Sequence, residues 1–141
     1  MEVHNIDSHG QLPRPPIRST LVIAPTGWGK TTYAKWLLKN GPMYTVYTSP
    51  LKSILKEVVR DMKGEIDVYT GDVYTTDENP RHNAIGTTYE KLDSMIRSRK
   101  QWVSYINMII VDELHNISTR PAIELVLVYA LKHRIPIVAL S

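Results

Sequence analysis

Apolar residues along this 141-residue chain follow two rhythms. Short runs rich in Val, Ile and Tyr, bounded by Gly, Pro, Asn or Asp, predict strands. They fall at Thr20–Ala24, Met43–Thr48, Ile66–Tyr69, Ala84–Gly86, Met108–Val111 and Ile137–Leu140. Between them, helical spacing predicts Gly29–Lys39, Leu51–Met62, Tyr89–Arg97 and Ala122–Lys132. In the second of these, Leu51, Ile54, Leu55, Val58 and Met62 recur every three or four residues and form one apolar stripe. Strands alternating with helices predict an α/β fold with a mostly parallel central sheet and helices on both faces. Residues 1–18 carry His, Asn, Gly and three prolines (Pro13, Pro15, Pro16), and predict an irregular lead-in before a domain spanning 19–141. The stretch TGDVYTTDENPRHN (70–83) is the longest polar interruption and is expected to be either functional or mobile.

Composition narrows this only slightly. An apolar fraction of 43% and a charged fraction of 22% describe an ordinary globular domain. The absence of cysteine excludes a disulfide framework, a thiolate metal site and a cysteine nucleophile, and fits a reducing cytoplasm. No apolar run approaches the roughly 18–20 residues of a membrane span, and MEVHNIDSHG lacks a signal-like apolar region, so no membrane partner is expected. A net charge of +3 permits a polyanionic partner without demanding one.

The informative chemistry begins at APTGWGKTTYAKWLL (24–38). A GxxxxGK[ST] pattern curls backbone amides around phosphates, extends a lysine to the terminal ones and offers a hydroxyl to magnesium. Gly29, Lys30 and Thr31 fit its end; Ala24 replaces its first glycine, and Gly27 supplies an internal flexible point. The apolar TLVIA leads in and TTYAKWLLK leads out as a helix whose N-terminus faces the anion. A glycine-rich turn with a surface lysine would leave both flanks unexplained. We therefore read a nucleotide-phosphate loop. Downstream, MIIVDELHN (108–116) is a buried strand ending in acids. In phosphate-loop proteins the first such acid holds the magnesium shell, and the next can orient the attacking water. Asp112 and Glu113 take those roles here. An acidic pair after a strand can also be a favourably charged helix start, but here it follows a phosphate loop in an α/β chain. His115 could relay between nucleotide and neighbouring loops, or simply pack at the surface.

PTGWGKT and VDELH together resemble motifs I and II of superfamily 2 helicases of the DExH class. The similarity continues in order through SPLKSILKE (49–57), VYTGD (68–72), IGTTYEKLDSMIR (85–97), TRPAIE (119–124) and IVALS (137–141), from Leu21 to Ser141. The TGD and TTYEKLDS elements are similar to the Ski-like branch and its archaeal 3′→5′ DNA helicases. This resemblance implies a three-layer P-loop NTPase (RecA-like) domain with ATP and Mg2+ at the carboxyl ends of its strands. Single-stranded DNA or RNA would lie across the top. It assigns Pro25, Thr26, Gly27, Trp28, Gly29, Lys30, Thr31 and Thr32 to ATP, and Lys30, Asp112 and Glu113 to catalysis. Thr31 and Asp112 would hold magnesium, the latter through water, while His115 and Ser141 couple the motifs. Pro50, Leu51, Lys52, Gly71, Asp72, Thr87, Thr88, Glu90 and Lys91 fall on the strand-tracking motifs. Amides, hydroxyls and helix N-termini contact phosphates and sugars without reading bases. For Lys52 and Lys91 a solvated helix face is an equal alternative, and Arg97, Arg99 and Lys100 read as a solvated helix end.

Three features depart from the family pattern. Gln11 stands where an adenine-reading glutamine could lie, yet LPRPPIRS cannot form the helix that normally follows, because proline breaks helix interiors. Trp28 occupies a position usually small, and is read as covering the apolar helix rather than stacking on a base. The chain ends at ALS, at the start of motif III, where the family continues into a second RecA-like domain bearing an arginine finger. Lacking such a finger slows phosphoryl transfer by roughly 10³–10⁵-fold. The expectation is therefore a truncated N-terminal motor domain, weakly active or inactive alone. Paired with a second RecA-like domain or helicase subunit, it would hydrolyse ATP to translocate on single-stranded nucleic acid. The alternatives are a non-catalytic half-helicase that binds or regulates, and a small P-loop kinase, for which no Arg-rich lid segment is present.

Overall fold

The alternation of short β-branched runs with striped segments resolves into seven strands and four helices among the described residues. The computed structural model describes residues 2–5, 18–23, 30–50, 52–70, 79–112 and 120–140. In chain order these are β1 (Glu2–Asn5), β2 (Thr20–Ile23), α1 (Lys30–Asn40), β3 (Thr45–Ser49), α2 (Lys52–Asp61) and β4 (Asp67–Tyr69). Then come β5 (Ala84–Thr88), α3 (Tyr89–Arg97), a 3-10 turn (Gln101–Tyr105), β6 (Met108–Val111), α4 (Arg120–Lys132) and β7 (Ile137–Leu140). All pairs are parallel and the order is β1-β2-β7-β6-β3-β5-β4. The expected parallel sheet is present, and it is parallel throughout.

Two readings need correction. Residues 1–18 were expected to be irregular, but β1 lies inside them and pairs with β2 from Glu2↔Thr20 to Asn5↔Ile23. EVHN has no apolar run to announce a strand; its neighbour supplies the ladder. The strand expected at Ala84–Gly86 runs on to Thr88, because the two β-branched threonines are buried and keep the ladder with β3 through Ser49↔Thr88. The 3-10 turn at Gln101–Tyr105 was not expected at all; it buries Trp102 and Val103. Most of 70–83 lies outside the described residues, as does Leu51.

Helices cover both faces. Tyr47, Ile110, Val138 and Leu140 pack with Tyr33, Ala34 and Leu37 of α1 and Leu55 and Val58 of α2. On the other side Val46, Ile85, Ile109 and Val111 pack with Leu92 and Met95 of α3 and Ile123 and Val126 of α4. The successive residues Ile109 and Ile110 therefore serve opposite cores, as strand pleating requires. Gly86 lets α2 approach closely: a Cβ there would lie 2.8 Å from Leu55 Cδ1 and 3.3 Å from Ile66 Cδ1. The chain leaves β2 through α1 on one face and leaves β6 through α4 on the other. The carboxyl edge near β2, β7 and β6 is thus where crossovers diverge, the usual place for a ligand crevice in such sheets.

Candidate nucleotide and nucleic-acid site

The first functional neighbourhood grows from the carboxyl ends of β2 and β6. Helix α1 starts at Lys30 and has no acid in its first turn, so its N-terminal amides present positive partial charge without a competing carboxylate. Pro25, Thr26, Gly27, Trp28 and Gly29 lie outside the described residues, and for Lys30 and Thr31 only the helical backbone is described. Thr32 is exposed on α1. Glu113, His115 and Ser141 also lie outside the described residues.

Asp112 is described, and its setting is specific. It is 1% exposed at the end of β6, and its N–H donates to Thr48 O at 3.0 Å, prolonging the β3 ladder by one residue. The Tyr47 hydroxyl donates to Asp112 Oδ2 at 2.5 Å. Register explains the meeting. Tyr47 pairs with Ile110, and Asp112 lies two residues beyond Ile110, so all three side chains share the α1–α2 face. Thr48, pointing the other way, returns its hydroxyl to Ile110 O at 2.7 Å. Burial pushes the Tyr47 phenol far above its ordinary range, and the Asp112 charge adds to the rise, while the Ser49 hydroxyl hydrogen-bonded to it pulls the other way. The phenol therefore remains protonated and able to donate. The same face is tied together at its rim by Lys35 of α1 and Asp61 of α2, 2.8 Å apart.

This setting can be tested against magnesium by its donor chemistry. Mg2+ prefers hard oxygen ligands, keeps several waters and uses one or two carboxylates together with phosphates. A buried carboxylate at the mouth of the crevice meets that description. Among the described residues no three acids or histidines cluster as an all-protein cage would require. Asp112, the described member of the expected pair, offers the kind of oxygen ligand the ion prefers.

The second neighbourhood lies at the ends of β3 and β5, which are hydrogen-bonded neighbours. Helices α2 and α3 begin there, side by side. An open cleft of about 470 Å³ is lined by Pro50, Lys52, Thr88, Glu90, Lys91 and Ser94. Thr88 closes the start of α3 by accepting the Lys91 N–H at 3.3 Å on its hydroxyl. Five residues assigned separately from sequence thus meet in one cleft. Thr87 does not join them: it is wholly buried, with its hydroxyl on Thr88 O at 3.2 Å. Leu51, Gly71 and Asp72 lie outside the described residues. Sequence reasoning missed Ser94, one helical turn from Lys91, and it missed Tyr47. Helix periodicity could have signalled the first; the second required the strand register.

With this geometry in hand, comparison with known proteins is informative. The DEAD/DEAH box helicase family model matches residues 12–141. Putative helicase 7 of the Sulfolobus islandicus filamentous virus is 33% identical over 88% of this chain and 23% of its own. The ATP-dependent DNA helicase Hel308 of Pyrococcus abyssi is 32% identical over 71% of this chain and 16% of its own. The mouse Superkiller complex protein 2 is 31% identical over 71% of this chain and 8% of its own. The chain thus spans less than a quarter of each of these relatives. The crystal structure of the UvsW helicase from bacteriophage T4 shares the fold, with a TM-score of 0.61 at 19% identity over 89% of this chain and 46% of that one. The resemblance to the Ski-like branch is borne out by these relatives, and with a family model covering nearly all its length, the chain belongs to the DEAD/DEAH box helicase family.

Proposed function

We propose that this domain is the ATP-binding motor half of a nucleic-acid-dependent ATPase. In this reading ATP lies at the carboxyl edge of β2 and β6, and one face of single-stranded DNA or RNA lies in the cleft between the starts of α2 and α3. The observation that carries it is the buried Asp112 at the crevice mouth, on the same sheet face as the helix that begins with Lys30. Lys30 and the backbone amides of 26–31 bind the β- and γ-phosphates. Thr31 and Asp112 are the residues that would hold Mg2+, which when bound neutralises charge on the transferring phosphoryl group. Glu113 orients the attacking water, and His115 and Ser141 link the nucleotide to neighbouring motifs. Pro50, Lys52, Thr88, Glu90 and Lys91 hold the nucleic-acid backbone, with Leu51, Gly71 and Asp72 extending the track. Such contacts position a strand without reading its sequence. A second RecA-like domain, from this protein or another subunit, completes the site. The cytoplasm is the compartment that suits this reading, and no helix among the described residues is long and apolar enough to cross a membrane.

The test is ATP turnover by the chain with and without single-stranded DNA and RNA, with Glu113→Gln as the blank. Strand-stimulated turnover above the blank is expected once a second domain is supplied in trans, and Lys30→Ala should abolish nucleotide binding. Glu113→Gln turning over as fast as the parent would refute the role given to Glu113.

A further inference from the structure

We infer that Tyr47 is a positioning residue for the magnesium shell, acting through Asp112. The inference rests on the reading of Asp112 as the magnesium-side carboxylate, and it adds a residue that no motif of the chain supplied. Tyr47 is fully buried in the middle of β3, where hydrophobicity alone would be served as well by Phe or Leu. Its hydroxyl is instead aimed at Asp112 Oδ2, 2.5 Å away. The aim is set by backbone that cannot easily drift. Tyr47 is paired with Ile110, and on either side of it Val46 and Thr48 are paired with Ile109 and Val111. The Asp112 N–H is held on Thr48 O. Both partners are therefore anchored to one ladder.

The chemistry of the donor matters as much as its place. A carboxylate that is 1% exposed needs hydrogen-bond donors to hold it in place. A neutral phenol fixes the plane of the carboxylate and adds no charge of its own. Partners of this kind orient metal-binding groups and sharpen metal affinity.

The experiment is binding of a fluorescent, non-hydrolysable ATP analogue to the full chain, titrated with MgCl2. It compares the parent, Tyr47→Phe, Asp112→Asn and the double variant. Tyr47→Phe is expected to raise the half-saturating magnesium concentration by about tenfold. Nucleotide affinity in EDTA should stay at the parental value, which a merely structural defect would not spare. In the Asp112→Asn background, Tyr47→Phe should add no further shift. A parental midpoint for Tyr47→Phe beside a shifted Asp112→Asn overturns the inference and leaves the role of Asp112 standing, as does a fully additive double variant. An unshifted Asp112→Asn overturns the reading of Asp112 and the inference with it. Should Tyr47→Phe fail to fold, NMR on the parent decides. The protected Tyr47 hydroxyl proton should move when magnesium is added to the nucleotide complex, and its standing still would refute the inference.

Discussion

A charged side chain in this fold is held by a particular neighbour, and two acids illustrate opposite settings. Asp112 keeps its place through a buried phenol and a strand carbonyl that accepts its N–H, whereas Asp61 sits at the protein rim facing Lys35. The hydrogen bond from Lys35 holds the Asp61 carboxyl below its ordinary 3.8, with the Lys35 charge and Arg60 helping. A depressed folded value means the pair stabilises fully above the unfolded pKa and is lost as pH falls through the folded one. Lys35→Met should therefore lower the urea midpoint at pH 7, and the gap from the parent should close as pH falls below the ordinary carboxyl value of 3.8 and through the depressed folded one. Equal midpoints at both pH values would show that the pair contributes nothing. Asp112 was legible as a buried strand end because it directly follows four apolar positions, and its reading as a magnesium-side acid leaned on the phosphate-loop pattern upstream. Tyr47 was not legible, since its meaning depends on which residue of β6 it faces. Thr87 was expected on the strand-tracking surface beside Thr88, but neighbours in a strand point to opposite faces, and only one of the two could line the cleft.

Elements were read well where chemistry punctuates them. Tyr89–Arg97 follows a threonine that caps it, and Met108–Val111 is bounded by Asn107 and Asp112. β1 escaped notice because its ladder comes from β2 rather than from its own residues. Helix ends carry a further signal that composition hides. Helix α4 closes with Ile135 N on Ala130 O at 2.8 Å and Arg134 N on Leu131 O at 3.3 Å, with Arg134 at φ 56°. This is a Schellman ending whose left-handed position is normally glycine. Helix α3 ends the same way at Arg99, φ 55°. An L side chain in that region costs about 1–2 kcal/mol, against about 0.3–1 kcal/mol for the favourable charge at a helix C-terminus and a further roughly 0.5–1 kcal/mol for the extra chain entropy of glycine. The terms nearly cancel. Arg134→Gly should leave the unfolding free energy within about 0.5 kcal/mol of the parent in a denaturant titration, with Lys132 still supplying charge to the last turn. A larger loss of stability would mean that the Arg134 side chain makes a contact worth more than its strain.

At the scale of the whole molecule, the sheet is stitched from both ends of the described chain. β3 and β5 pair with only α2 and β4 between them in sequence, and β6 joins β3 shortly afterwards. β2, which leads into the phosphate loop, lies between β1 and β7 and is paired with the latter from Thr20↔Val138 to Val22↔Leu140. Closing such a distant pair carries the larger entropic cost and belongs late in folding. In pulsed hydrogen exchange during refolding, amides of β3, β5 and β6 should gain protection before those of β2. Simultaneous protection would point to a single cooperative closure instead. The same pairing bears on synthesis in the cell. Of the described strands, β2 is the second to emerge from the ribosome, and its inner neighbour β7 is the last to be made. The β2 side of the proposed nucleotide site is consequently completed only when translation has passed Leu140, and until then β2, paired with β1 alone, keeps one open edge for chaperones to guard.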